Sequence, residues 1–199
     1  MEVSTNDNGT HYQPLISIIM ATYNRAATLQ RAIASVFGQS YQNFELIIVD
    51  DGSTDDTSIL LAQYLDSRIR ILKLEKNKGV TAAKNCGLNS IRGEWFTFLD
   101  SDDEMTPTAL ETFLYVVEAD HRINAITCNC IDSVTGHFSG HGLDKDQFLD
   151  EERALNAKGE HWGLTRTSLL GVAIQEQAFY MGACILLNAL KKLCFPAQR

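Results

Sequence analysis

The chain has 199 residues, of which 45% are hydrophobic and 21% charged. That balance belongs to a globular protein with one α/β domain's worth of core and at most a small appendage. The formal charge of -8 excludes broad nucleic-acid binding, which needs clustered Lys and Arg to release counterions from a phosphate backbone.

Residues 1–13 are polar, with almost no apolar content, and are expected to form a loose leader. They lack the charged-then-apolar pattern of a signal peptide, and no later run reaches the length of a membrane span. Five scattered cysteines, Cys86, Cys128, Cys130, Cys184 and Cys194, offer no pair of CxxC motifs for zinc and read as free thiols in a reducing compartment. A cytoplasmic protein is the expectation, with peripheral membrane contact left open.

Leu15 to Met20 is a β-branched-rich apolar run of the kind found in strands buried on both faces of a parallel sheet. Thr22-Tyr23-Asn24-Arg25 breaks it, and Leu29, Ile33, Val36 and Phe37 then recur at helical spacing. A second buried strand spans Phe44 to Val49 and stops at Asp50-Asp51-Gly52-Ser53, a turn by composition, with Asp55 placed to cap the next helix. Ile69, Ile71 and Leu74 mark a third strand. Asn77-Lys78-Gly79 turns the chain into a helix carrying Val80, Ala83, Gly87, Leu88 and Ile91. The fourth strand, Glu94 to Leu99, ends at Asp100-Ser101-Asp102-Asp103, and Thr106-Pro107 supplies an N-cap and first-turn proline for a further helix. Beyond Asp120 the pattern weakens to a strand at Asn124 to Cys128, a Gly- and His-rich loop or hairpin at Gly136 to Gly142, and an amphipathic terminal helix over Met181 to Leu193.

Strands alternating with helices predict parallel βαβ units joined by right-handed crossovers, covered on both faces. Ligands of such sheets bind beyond the carboxyl ends of the strands. Three of the four strands end in polar clusters, at Ala21 to Asn24, Asp50 to Ser53 and Asp100 to Asp103, so these should converge on one edge. Carboxylates as close in sequence as Asp100 and Asp102 repel each other unless solvated or paired, and a divalent cation relieves the repulsion. Mg²⁺ suits such a place because it takes one or two carboxylates and completes its shell with water and phosphate oxygens. Taken alone, each acidic cluster reads equally as a strand-end turn and helix cap, and Lys84 as a solvated helix lysine.

Four stretches in order carry a more specific signal. They are Ser17 to Arg25, Ile48 to Thr57, Asn77 to Gly87 and Phe98 to Asp103, and together they resemble the GT-A fold, family 2 glycosyltransferases. The resemblance covers roughly Leu15 to Leu114. It implies an α/β fold, Rossmann-like, with a mostly parallel sheet and helices on both faces. A nucleotide-sugar-binding half would occupy 14–120 and a shortened acceptor-side half 121–199. It implies that Ala21, Thr22, Tyr23 and Asp51 contact the nucleoside, with Asp51 reading the base, and that Lys84 stands where the family often has Arg near the nucleotide. Asp100 would lie by the ribose, Ser101 would contact the nucleotide, and Asp102 would sit on Mn²⁺ or Mg²⁺ bridging the diphosphate, with Asp103 a helper. The implied activity is metal-dependent, inverting transfer from a nucleotide-sugar donor, a UDP-sugar first among them, to a saccharide or lipid-linked acceptor, in polysaccharide biosynthesis.

An inverting transfer needs a carboxylate within reach of the acceptor hydroxyl. The expected neighbourhood, Phe179 to Cys184, holds no acid, and the base stays unassigned, with Glu176, Glu151 and Glu152 as substitutes. His161-Trp162 reads as a packed Trp beside a surface His, or as lining for an acceptor pocket. A non-catalytic or truncated nucleotide-sugar-binding module is the second reading. A haloacid-dehalogenase-like phosphatase, which also places Asp-x-Asp after an apolar strand, is the remote one.

Overall fold

The computed structural model describes residues 12–120, 122–139 and 161–170. It divides into two compact units between Thr112 and Phe113. The first holds β1 (Ile16–Thr22), α1 (Ala26–Phe37), β2 (Phe44–Asp50), α2 (Thr57–Leu61), β3 (Ile69–Lys73), α3 (Val80–Leu88) and β4 (Trp95–Phe98). Helix α4 (Ala109–Ala119) follows, and the second unit contains β5 (Ala125–Asn129) and β6 (His161–Arg166).

In the first unit the strands lie in the order β3-β2-β1-β4, all parallel. Their apolar runs exist because this arrangement leaves no face to water: every residue of β2 is buried, and β1 is buried at all positions but Ala21. The register pairs Ile16 with both Phe44 and Trp95, so even-numbered residues of β1 and β2 share one face and odd-numbered ones the other. Helix α1 covers the even face, buries Leu29, Ala32, Ile33 and Val36, and sets Phe37 edge-on against Phe44 with ring centroids 5.6 Å apart. Helix α3 covers the odd face, where Ala83 and Cys86 pack with Ile47, Val49, Ala21 and Leu72. Ile91, expected within this helix, lies just beyond it and joins the same cluster.

Helix α3 approaches the sheet closely because Gly87 has no side chain. A Cβ there would sit 2.4 Å from Ile19 Cγ2 and 3.4 Å from Val49 Cγ2. Gly87→Val is therefore expected to lower stability by about 1–3 kcal/mol through overpacking, read as an earlier urea midpoint at unchanged slope.

The ordered contacts begin ahead of Pro14. Residues 1–11 of the expected leader lie outside the described residues, but Tyr12 donates to Glu94 (2.7 Å) and accepts from Trp95 Nε1 (3.0 Å). Gln13 offers its carbonyl to Asn43. Helix α4 starts at Ala109 rather than at Pro107, because the Thr106 and Pro107 carbonyls accept from Gln39 Nε2 and Ser40 N at the end of α1, which holds this segment in a turn.

In the second unit β5 and β6 pair antiparallel, Ala125 with Thr165 through Asn129 with His161. Strand β6 has no counterpart in the sequence reading. Its Trp162 packs against Phe113 at 4.9 Å between centroids, which favours the packed-tryptophan reading. The loop after β5 closes as a short hairpin earlier than expected, with Ile131 bridged to Phe138 and Gly136 at φ 71 in its turn. The expected terminal helix at Met181 to Leu193 lies outside the described residues. No helix among the described residues is long and apolar enough to cross a membrane.

Candidate functional site

Parallel pairing delivers the carboxyl ends of β1, β2 and β4 to one edge of the first unit. The ladders run on past the strands, with Asp51 N donating to Thr22 O (2.9 Å), Leu74 N to Asp50 O and Leu99 N to Ile19 O. The expected convergence is therefore what the register produces. A cavity of about 420 Å³ opens there. Ala21 and Thr22 of β1 with Tyr23 after it, Asp51 after β2, and Asp100, Ser101 and Asp102 after β4 all line it. Arg25 and the first residues of α3 complete the wall. Of the residues expected at the site, Asp103 and Lys84 are not in this lining; Lys84 is joined to it through Asp100, with Nζ 2.8 Å from Oδ1 and 5.4 Å from the Phe98 ring centre.

The two acidic clusters differ in what their oxygens are doing. Asp51 is 3% exposed. Its Oδ1 accepts from Lys78 N and its Oδ2 from Gly79 N, both at 2.8 Å. The carboxylate thus fastens the turn into α3, and each oxygen keeps one lone pair for a ligand. The fastening depends on backbone that other residues could not adopt: Gly79 has φ 89, and Gly52 has φ 73 with no room for a Cβ beside the Lys76 backbone. Asp50 accepts from Ser53 N (2.9 Å) and Ser58 Oγ (2.8 Å) and is 1% exposed, a structural duty that its sequence position alone did not separate from that of Asp51.

The β1–α1 and β2–α2 loops are locked to each other. Asn24, at φ 52, accepts from Thr54 N (2.8 Å) and donates its own N–H to Ser53 Oγ (3.0 Å). Asp55 accepts from Ala26 N and Thr57 N, so it reaches the first residue of α2 from outside the cap position that Asp56 holds. The Thr57 hydroxyl, with help from backbone N–H groups, holds the Asp55 carboxyl below its ordinary range. A lowered carboxyl strengthens the native state above the ordinary carboxylate range and loses that contribution as pH falls through the lowered value.

Asp100 and Asp102 are open by comparison, with side chains 54% and 50% exposed. Each has a cation beside it, Lys84 for Asp100 and Arg25 NH2 for Asp102 at 3.6 Å. Arg31 of α1 braces the same loop, donating to the Asp102 carbonyl (3.0 Å) and pairing with Glu104 at 2.6 Å. Among the described residues no group of three or more His, Cys, Asp or Glu side chains could hold a metal. Two accessible carboxylates on one cavity wall nevertheless fit the donor set of Mg²⁺ or Mn²⁺ when phosphate oxygens and water complete the shell.

Asp103 N donates to Asp100 O within this turn. Glu151, Glu152, Glu176 and the Phe179 to Cys184 stretch, where a general base was sought, lie outside the described residues. Arg25 was passed over in the sequence because nothing local distinguishes it from any first-turn arginine. Cys86, Cys128 and Cys130 are free thiols, as expected, and burial pushes the Cys128 thiol up to about 12.

The family model described as glycosyl transferase family 2 matches residues 17–170. A GalNAc(5)-diNAcBac-PP-undecaprenol beta-1,3-glucosyltransferase of Campylobacter jejuni is 34% identical over 92% of this chain and 62% of its own length. A UDP-Glc:alpha-D-GlcNAc-diphosphoundecaprenol beta-1,3-glucosyltransferase of Escherichia coli is 40% identical over 63% of this chain and 51% of its own. The chain thus spans between half and two thirds of these curated relatives. In fold it is similar to a mannosyltransferase from Pyrobaculum calidifontis solved with GDP-Man and Mn²⁺, with a TM-score of 0.69, 20% identity, and coverage of 93% of this chain and 55% of that one.

Proposed function

Because the chain belongs to glycosyl transferase family 2, we propose that it binds a nucleotide-sugar donor in the strand-end cavity and transfers the sugar to an acceptor hydroxyl with a divalent cation. The observation that carries this reading is the meeting of Asp51 and the Asp100 to Asp102 turn on one cavity wall, one carboxylate buried and oriented, the others exposed. A nucleoside needs the first kind, because a fixed acceptor selects among base edges. A cation–diphosphate pair needs the second, because it brings its own charge and water.

In this proposal Ala21 to Tyr23 and Asp51 seat the nucleoside, Ser101 and Asp100 face the ribose, and Asp102 holds the cation, Mn²⁺ or Mg²⁺. The bound cation would neutralise charge developing on the departing diphosphate. Lys84 orients Asp100 through the 2.8 Å pair. A UDP-sugar is the donor we put first, in line with the UDP-Glc in the name of the Escherichia coli relative. The lipid-linked diphosphates in both relatives' names favour a similar acceptor. Such an acceptor would bring the chain to a membrane surface from the cytoplasmic side, in polysaccharide assembly.

Titration calorimetry tests the binding half of this reading. UDP is expected to bind about tenfold or more tightly with Mn²⁺ than in EDTA, the gain of one charge-assisted contact. Equal affinities would remove the cation from the site. Release of nucleoside diphosphate from a panel of nucleotide sugars, with and without acceptors, tests the transfer half. Binding without any release would leave a nucleotide-sugar-binding module.

A further inference from the structure

We propose that Arg25 is a counterion-exchange residue: its guanidinium neutralises Asp102 while the site lacks a cation, and turns to the diphosphate when a divalent cation takes that carboxylate. The inference rests on the proposed nucleotide-sugar site and adds to it a residue that couples the two ligands.

Arg25 and Asp102 line the same cavity, each side chain 50% exposed, with NH2 and Oδ2 3.6 Å apart. That spacing exceeds an N–H···O hydrogen bond, so the two are held by charge alone. The other pair on this wall differs: Lys84 sits 2.8 Å from Asp100 and over the Phe98 ring, which ties it in place. Arg25 is the cation able to leave. Its backbone is not, because its N–H donates to Oγ1 of the buried Thr57 (3.0 Å) and its carbonyl accepts from Leu29 N (3.0 Å) at the start of α1. The side chain therefore swings about a fixed point within reach of the cavity. A divalent cation on Asp102 would repel the guanidinium from the carboxylate, and the planar fork released there matches a pair of phosphate oxygens. Removal of its charge should then affect the two ligands in opposite senses, and through linkage should weaken the help each gives the other.

The test is titration of the full chain with Mn²⁺ alone, and with UDP at saturating Mn²⁺, in wild type and Arg25→Gln. With the competing charge gone, Mn²⁺ alone is expected to bind about two- to fivefold more tightly, the range of an exposed ion pair. UDP with Mn²⁺ is expected to bind more weakly by about tenfold or more, the loss of one charge-assisted contact. Arg25→Lys keeps the charge but not the fork, and should return Mn²⁺ binding to the wild-type value while recovering UDP binding only in part. Arg31→Gln removes an equal charge from α1 beside the Asp102 loop, but one aimed at the Asp102 carbonyl and Glu104, and should not give the opposed pair of shifts. Shifts of one sign in Arg25→Gln, no shift, or the same opposed pair in Arg31→Gln would overturn the exchange while leaving the site itself standing. A wild-type chain that binds neither Mn²⁺ nor UDP would overturn the site and the exchange together.

Discussion

Asp102→Ala is expected to abolish the metal-dependent part of UDP binding, an effect of about 10- to 100-fold, while the protein stays folded. The size follows from losing the protein's anionic contact to the cation, since hydrogen bonds and contacts to charged groups contribute about 1.5–3 kcal/mol each and 1.4 kcal/mol is tenfold. Stability should change little. The side chain is half exposed and its partner Arg25 lies 3.6 Å away, so the pair belongs to the exposed class that contributes about 0–1 kcal/mol. The turn itself is held by backbone, through the Arg31 bond to the Asp102 carbonyl and the Asp103 N–H to Asp100 O, which alanine retains. Calorimetry in Mn²⁺ and in EDTA, with a thermal melt, checks both halves. An Asp102→Ala protein that still gains affinity from Mn²⁺ would move the cation to Asp100 or away from this turn altogether.

Asp51→Ala should fail differently and more broadly. Both oxygens of this buried carboxylate hold backbone N–H groups, of Lys78 and Gly79, at 2.8 Å. Removing it leaves the Lys78 N–H without this partner while the Gly79 N–H keeps Asn77 Oδ1 at 3.0 Å, a loss of about 1.5–3 kcal/mol for the bond to a charged acceptor. The same turn carries Gly79 and Val80 into the cavity wall, so nucleoside binding should fall with and without metal. Asp51→Asn separates the two duties. It keeps an acceptor for one N–H while its amide cannot serve both, and it changes what is offered to a base. Its melt should fall between wild type and alanine, and its nucleotide affinity should fall in EDTA as well as in Mn²⁺. Wild-type affinity in Asp51→Asn, measured on protein that melts early, would make this residue structural only.

These two variants show why equal-looking acidic clusters were not equal. In sequence, Asp50-Asp51 and Asp100-Ser101-Asp102-Asp103 both read as polar stops after apolar strands, with roles assigned through a family resemblance. In the fold Asp50 and Asp51 are buried and engaged by backbone and hydroxyl donors, whereas Asp100 and Asp102 are half exposed on the cavity wall, each with a cation beside it. Tests that treat them alike would confuse folding with binding.

The sequence by itself determined the elements of the first unit and their sense. Buried parallel strands need apolar residues on both faces, so Ile16 to Thr22 and Phe44 to Asp50 announce themselves within a few residues, and polar clusters can only sit where such strands stop. The amphipathic spacing of Leu29, Ile33 and Val36 marks α1 for the same local reason. Strand β6 gave no such signal, because His161-Trp162-Gly163-Leu164-Thr165-Arg166 has little apolar alternation. Its Gly163 is there to let Ile126 O approach, 2.3 Å from where a Cβ would stand, and close approach leaves no mark in periodicity. Only the tertiary structure decided the partners: Asp51 with Lys78 and Gly79, Asn24 with Thr54, Arg31 and Arg25 with Asp102. Those pairs join residues 27 to 77 positions apart, and a hydrogen bond or ion pair is set by distances of a few ångströms in space. The strand order and register set those distances; the pattern along the chain carries the register only once the strands are paired.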